Sequence, residues 1–183
     1  MPAYRFPKPY ADFVARLRVP TGFLLVAAFL WFSQPSAWSL AVGLPVSVAG
    51  LALRAWAAGH LAKNERLATS GPYAYTRNPL YFGTLIVGFG LAIASRSPAL
   101  AIFFAVVFLA VYLPVIELEE QHLRDLFPEY AAYAAYVSML RPKLHAPRQE
   151  QPFRWALYKR NQEYQAALGF LAGALVLIWK ALR

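Results

Sequence analysis

Two short segments of the chain combine cationic, aromatic and carboxylate side chains in a pattern suited to binding a charged ligand. The first is Gly71-Pro-Tyr-Ala-Tyr-Thr-Arg-Asn-Pro-Leu-Tyr81, and the second holds the adjacent acids Glu119 and Glu120. Both lie at the ends of strongly apolar stretches, where ionisable groups are expensive to keep and are usually retained for a ligand. The pattern therefore indicates an enzyme that works at a membrane surface.

The composition is that of a membrane protein. Of the 183 residues, 59% are hydrophobic and only 15% are charged, whereas a soluble domain usually carries about 25% charged residues. The chain has no cysteine, which excludes disulfides and thiolate metal sites. Its three histidines, His60, His122 and His145, are too scattered to indicate a zinc site, so no metal is expected.

Five apolar runs are candidates for membrane spans, which predicts an all-α polytopic fold. Spans three and four are joined only by Ser95-Arg96-Ser97-Pro98, so we expect a tight antiparallel helical hairpin there. The predicted runs are about Pro20–Phe32, Trp38–Gly59, Leu80–Ala94, Pro98–Ile116 and Tyr164–Trp179.

The basic residues predict the orientation of these spans. A cytoplasmic N-terminus places 14 of the 18 Lys and Arg residues inside, as the positive-inside rule favours. The single membrane domain then comprises a cytoplasmic arm (1–19), four spans (20–116) with a cytoplasmic loop (61–78), a cytoplasmic cofactor-site segment (117–160) and the fifth span (161–183). The basic inner face predicts contact with anionic lipids rather than nucleic acid. Within the second span, Arg54 either snorkels to the surface or reaches into the site.

Local chemistry explains why the first segment suits an anion. Pro72 and Pro79 hold the residues before them extended, and Pro79 is well suited to begin the third helix. Arg77 and Asn78 would then lie at a helix N-terminus, where amide groups and the helix dipole favour negative charge. Tyrosines 73, 75 and 81 add an aromatic lining.

The two acids are predicted to serve different partners. Helical spacing places Glu117, Glu120 and Arg124 on one face and turns Glu119 to another. Glu120 is expected to support the site by engaging the basic loop, and Glu119 to contact the ligand. Pro114 should kink the helix just before them. Downstream, aromatic residues recur every third position from Phe127 to Tyr136, in a stripe that either lies on the membrane or caps the site.

Together these segments resemble the integral-membrane methyltransferases that include isoprenylcysteine carboxyl methyltransferase and the phospholipid N-methyltransferases. The family pattern G-P-Y, R-[HN]-P-x-Y-x-G and E-E-x-x-L, followed by a phenylalanine and two tyrosines, is present between Arg54 and Pro142. Asn78 stands where many members carry histidine, and Pro128 replaces a common glycine. The resemblance implies S-adenosylmethionine as cofactor, with Arg77 and Glu119 as catalytic residues. The implied cofactor-binding residues are His60, Tyr73, Arg77, Asn78, Pro79, Tyr81, Glu119 and Glu120.

The resemblance also implies a lipophilic acceptor that enters from the bilayer. We expect carboxyl O-methylation of an isoprenylcysteine, for which no general base is needed. The alternatives are a phospholipid N-methyltransferase, in which Glu119 or Glu120 would remove the proton of the amine, a sterol-reductase-like NADPH enzyme, and a non-enzymatic scaffold.

Two glycine patterns give further expectations. The short, glycine-rich third span predicts a bilayer-facing opening beside Gly83 to Gly90, with residues 130–136 closing its cytoplasmic side. In the fifth span, Gly169 and Gly173 form a G-x-x-x-G pattern that allows close helix approach. It serves either a homodimer or packing within the chain.

Overall fold

The computed structural model describes residues 6–142 and 151–183, and within these ranges the chain is helical with no strand. The predicted all-α class is therefore confirmed. Arg5, one of the basic residues predicted to be cytoplasmic, and His145 lie outside the described residues. The elements are α1 (Lys8–Phe32), α2 (Ala37–Ala58), a 3₁₀ turn (Gly71–Ala74), α3 (Pro79–Ser95), α4 (Pro98–Val107), a π-helical turn (Phe108–Tyr112), α5 (Leu113–Leu126), α6 (Tyr130–Tyr136), α7 (Trp155–Arg160) and α8 (Tyr164–Ala181).

Four helical stretches of the described chain are long and apolar enough to cross a membrane: α1, α2, the continuous stretch Pro98–Leu126, and α8. Only 11% to 39% of their most apolar windows are buried inside the protein, so most of these apolar side chains face outward. Lipid is the solvent that tolerates such a surface. The chain is an integral membrane protein. Because α3 has 17 residues, its crossing stays a prediction, as does the cytoplasmic N-terminus.

The first helix begins earlier than the sequence predicted. It starts at Lys8, so residues 8–19, assigned to a cytoplasmic arm, belong to α1. Ala11 and Val14 are buried, and Val14 packs in a cluster with side chains of α4, the π turn and α5. This packing extends the helix through Pro20, which lies inside it. By contrast, Pro79 begins α3 as predicted.

A π turn lies just before Pro114, within the continuous stretch Pro98–Leu126, and the kink expected at Pro114 stays a prediction. Proline has no N–H to donate to the carbonyl four residues back, which here belongs to Ala110. The hydroxyl of Tyr10 donates to the Ala110 oxygen instead, at 2.6 Å. A residue of α1 thus donates to the carbonyl for which Pro114 has no N–H.

Contacts divide the chain into two compact units. The first unit comprises Met1–Ser47, Gly88–Gln121 and Leu171–Arg183, and the second comprises Val48–Val87 and His122–Phe170.

Glycines of α2 and α3 let the two helices approach closely. In the first unit a Cβ on Gly90 would lie 2.5 Å from the Gly43 oxygen, and in the second a Cβ on Gly50 would lie 2.7 Å from the Gly83 oxygen. A Cβ on Gly88 would overlap the ring of Phe104. The glycines expected to line an opening beside Gly83 to Gly90 are thus packed against other helices, and the opening itself stays a prediction. Small residues have this role wherever helix backbones touch.

The C-terminal end of α1 is closed by a lysine from α8. The Lys180 ammonium donates to the carbonyl oxygens of Leu30 (3.1 Å), Trp31 (3.1 Å) and Ser33 (2.6 Å). These groups have no partner within the helix, and a cation is favoured at the negative end of the helix dipole. Lys180 therefore holds α8 against α1 within the first unit.

We expect Lys180→Met to lower thermal stability, because it leaves carbonyl groups of α1 without a donor. The loss should be roughly 1–3 kcal/mol, the range for a buried acceptor left unsatisfied. Arg183→Met is the matched control, since Arg183 is exposed and lies over the ring of Trp179. Thermal unfolding in detergent should separate the two variants, and equal melting temperatures would contradict the assignment.

Candidate functional site

The motif loop, residues 71–79, is held by backbone and side-chain hydrogen bonds to the end of α6 and the residues that follow it. The Tyr133 hydroxyl donates to the Tyr73 oxygen at 2.7 Å, and the Arg77 amide donates to the Ser138 oxygen at 2.9 Å. Two side chains of the loop share one acceptor, the Met139 oxygen: Thr76 Oγ1 at 2.9 Å and Asn78 Nδ2 at 3.3 Å. Of the two roles predicted for the aromatic stripe, Tyr133 supports the capping one, while Tyr136 is exposed.

Arg77 has a structural role that the sequence did not predict. Its Nη1 donates to the Val137 oxygen at 2.6 Å and to the Ala134 oxygen at 3.2 Å. These carbonyls lie at the C-terminal end of α6, where the helix dipole favours a cation. A guanidinium carries five N–H donors in a fixed fork. Its predicted contact with a ligand carboxylate stays a prediction.

His60 lies against the start of the motif loop and is only 4% exposed. Its Nδ1 is 3.1 Å from Ser70 Oγ, and the rings of Trp56 and Phe153 meet it edge-on. Gly71 has a φ of +57°, and a Cβ there would lie 2.6 Å from His60 Nε2. Glycine is thus required at position 71 both for its backbone conformation and for the space that the imidazole fills.

The surroundings of His60 favour its neutral form. Burial, and then the positive charge of Arg66, lower the pKa of His60 below its ordinary value of 6.5. A neutral imidazole has one donor and one acceptor nitrogen, which suits its pairing with a hydroxyl. Its predicted contact with the cofactor stays a prediction.

A cavity of about 370 Å³ adjoins the motif loop, a volume near the lower end of the range for small-molecule sites. Its walls come from α2, the motif loop, the first turn of α3 and Pro142, and they are almost entirely apolar: Leu53, Trp56, Pro72, Tyr75, Thr76, Phe82 and Pro142.

Tyr75 is therefore the motif-loop tyrosine that lines the cavity. Tyr73, predicted to bind the cofactor, is buried in a core cluster with Ala57 and Ala68. Pro79 is buried as well, and Tyr81 is half-buried.

Arg54 forms an ion pair that the sequence did not predict, and its two predicted roles stay predictions. Its guanidinium makes a two-pronged ion pair with Glu163, through Nε to Oε1 at 2.5 Å and Nη2 to Oε2 at 3.1 Å. Sequence reasoning did not single out Glu163. The available signal was an acid just before the last apolar run, together with an arginine inside the second run, since such charges must be paired.

Glu119 and Glu120 belong to the first unit, and burial confirms that they lie on different helical faces. Glu119 is half-exposed and forms an ion pair with Arg18 at 3.0 Å. Glu120 and Glu117 are buried. The contact with Arg18 was not predicted. The roles of the two acids toward a ligand and toward the basic loop stay predictions.

Comparison with known proteins gives two kinds of relative. Residues 17–130 match the phospholipid methyltransferase family. The chain is also 33% identical to the cobalt-zinc-cadmium resistance protein CzcN of Cupriavidus metallidurans over 167 residues, which cover 87% of this chain and 77% of that protein. It is 31% identical to the nickel-cobalt-cadmium resistance protein NccN of Alcaligenes xylosoxydans, over 83% of this chain and 77% of that protein. No solved structure matches the chain.

The lowered pKa of His60 predicts a pH dependence of stability. The unfolded chain takes up the imidazole proton more readily than the folded chain, so the free energy of unfolding should fall as pH drops below about 6.5 and level off below the folded-state pKa. In His60→Gln this contribution is absent. The check is the difference in thermal stability between wild type and variant from pH 8 to pH 5. A difference that does not change with pH would contradict a neutral buried His60.

Proposed function

We propose, because the chain belongs to the phospholipid methyltransferase family, that it transfers a methyl group from S-adenosylmethionine to a lipophilic acceptor in the membrane. The main support for this proposal is that the motif loop combines an apolar surface with a cationic side chain. Pro72 and Tyr75 line the apolar cavity, while Arg77 supplies a cation at the start of α3. A hydrocarbon chain suits the cavity, because almost no polar group lines it.

The motif loop suits the cofactor for a separate reason. S-adenosylmethionine supplies an activated methyl group and carries a carboxylate, which a guanidinium binds well. One terminal nitrogen of Arg77, Nη1, donates to carbonyl oxygens at the end of α6, so the position of the guanidinium is set before a ligand arrives. Methyl transfer is an in-line displacement in which positioning and exclusion of water matter most. The partly buried motif loop suits both requirements.

The finer identity of the acceptor is part of the proposal. The motifs favour an isoprenylcysteine carboxylate, which needs no general base. The matched family favours a phospholipid amine, which must lose a proton, and Glu119 or Glu120 would then accept it. Labelled cofactor offered with farnesylcysteine or with phosphatidylethanolamine distinguishes these acceptors. NADPH binding without S-adenosylhomocysteine binding would favour the reductase alternative, and binding of neither ligand would favour a scaffold.

The membrane setting completes the proposal. We place the motif loop on the cytoplasmic side, where the basic residues of the chain would contact anionic lipid headgroups. A homodimer through Gly169 and Gly173 is also proposed. A Cβ added at either glycine would meet no described atom within 4 Å, so packing within the described chain leaves this face of α8 open.

The names of the two relatives support a physiological role in metal resistance. We propose that methyl transfer by this chain contributes to tolerance of cobalt or cadmium, which both names contain. A strain that lacks CzcN and expresses this chain should regain growth on these metals. If Arg77→Ala restores growth as fully as wild type while methylation is lost, the activity and the resistance are unrelated.

Filling the cavity should weaken acceptor binding while sparing the cofactor. Leu53→Trp places a larger side chain in the cavity, so we expect a higher KM for a prenylated or diacyl acceptor. S-adenosylhomocysteine affinity, measured by titration calorimetry, should change little. Val48→Trp is the matched control, because Val48 lies on the same helix and is exposed. An unchanged KM in Leu53→Trp, with normal folding, would remove the cavity from acceptor binding.

The two acids should differ in their effects. Glu119→Gln is expected to lower turnover with little loss of thermal stability, since the side chain is half-exposed. Glu120→Gln should lower both, because Glu120 is buried and unsatisfied buried groups are costly. Turnover and melting temperature measured on both variants test the division. Equal losses of each quantity in the two variants would contradict it.

A further inference from the structure

An ion pair in the second unit connects the start of α8 to the start of α3. Arg54, on α2, binds both carboxylate oxygens of Glu163, the residue before α8. Its Nη1 also donates to Thr84 Oγ1 at 2.5 Å and to the Leu80 oxygen at 3.2 Å. Both acceptors belong to the first turns of α3, directly after the motif loop.

Gly83, the last residue of the pattern R-[HN]-P-x-Y-x-G, leaves the space that this contact needs. A Cβ on Gly83 would lie 2.6 Å from Cγ of Arg54, so the arginine stem occupies the space that any other residue would fill. Thr84 Oγ1 donates in turn to the Leu80 oxygen at 3.0 Å. The first turns of α3 therefore contact both parts of the Arg54 side chain: Gly83 faces its stem, and Leu80 and Thr84 accept hydrogen bonds from its guanidinium.

The chemistry of the pair indicates a positional role rather than a contribution to stability. Glu163 is buried and Arg54 is about three-quarters buried. Taking both charges out of water is expensive, and apolar residues of similar size often stabilise a protein as well or better. What the pair does supply is geometry, because a two-pronged Arg–carboxylate contact fixes both groups in one plane.

We propose that Glu163, acting through Arg54, is a positioning residue that fixes the start of α3 and with it Arg77 and Asn78 of the motif loop. Glu163 lies outside the matched residues 17–130, so α8 becomes part of the framework of the site. The expected effect on cofactor binding rests on the proposed function. The placement of the start of α3 by Glu163 and Arg54 does not depend on it.

Replacing one member of the pair should lower thermal stability, because the other member is left buried without its partner, but the fold should persist. The segment before α8 has other attachments to the end of α2: Asn161 Nδ2 donates to the Ala58 and Leu61 oxygens, each at 2.9 Å, and the Arg154 amide donates to the Gly59 oxygen. Glu163→Gln also keeps the size of the side chain. The chain offers a matched control in Arg160–Glu65, an Arg–Glu pair of the same segment that is more than half exposed.

The first test uses spin labels, for which the cysteine-free chain is a clean background. Labels at Tyr136→Cys, beside the Arg77 contacts on α6, and at Gln165→Cys, on α8, report one distance within the second unit. We expect its distribution to broaden or shift in Glu163→Gln and in Arg54→Gln, and to stay as in the labelled parent in Glu65→Gln. An unchanged distribution in a folded Glu163→Gln overturns the positional role.

The second test measures S-adenosylhomocysteine affinity in the same variants without labels. Glu163→Gln and Arg54→Gln should each weaken binding by roughly tenfold or more, since small misplacements of binding groups have large effects. The double variant should bind S-adenosylhomocysteine at least as tightly as the single variant with the lower affinity, because the two residues act as one unit. Additive losses overturn the coupling. If wild type does not bind this ligand while the label distance still responds to Glu163→Gln, the proposed function fails and the positional role stands.

Discussion

Backbone carbonyl groups at helix ends and breaks are the constraint on which this structure depends. In a bilayer no water can satisfy them, and each group left alone costs several kcal/mol. Here, side chains from distant parts of the sequence donate to them, among them Tyr10, Arg77, Asn161 and Lys180. Each donor joins two helices, so the repair of the backbone and the assembly of the fold are the same event.

A few charged residues are enough to join the helices, because each one binds several backbone groups. An exposed ion pair contributes little, but a cation at the end of a helix satisfies several carbonyls and meets the helix dipole. Lys180 does this for α1 and Arg77 for α6. A basic residue near a membrane helix can therefore do more than set the orientation of the helix in the membrane, since the same charge can hold two helices together.

The sequence predicted the helices well because hydropathy and proline placement act locally. It placed α2, α3 and α8 within two residues of their observed ends. It could not predict that Arg54 pairs with Glu163 or that Lys180 binds the end of α1, because these partners lie more than a hundred residues away. The glycines of α3 show the same limit. A glycine in a membrane helix can border a gap or a tight contact, and only the neighbouring helix decides which.

The departure from the family pattern at Asn78 gains a physical account from the same constraint. Asn78 donates to the Met139 oxygen, which Thr76 also binds. A neutral histidine has an N–H that can donate to a carbonyl in the same way, so both residue types can hold the loop against the segment after α6. What Asn78 supplies at this position is a donor, not a group that titrates. For an amine acceptor, a carboxylate elsewhere in the chain is therefore the proposed proton acceptor, and a carboxylate acceptor would need none.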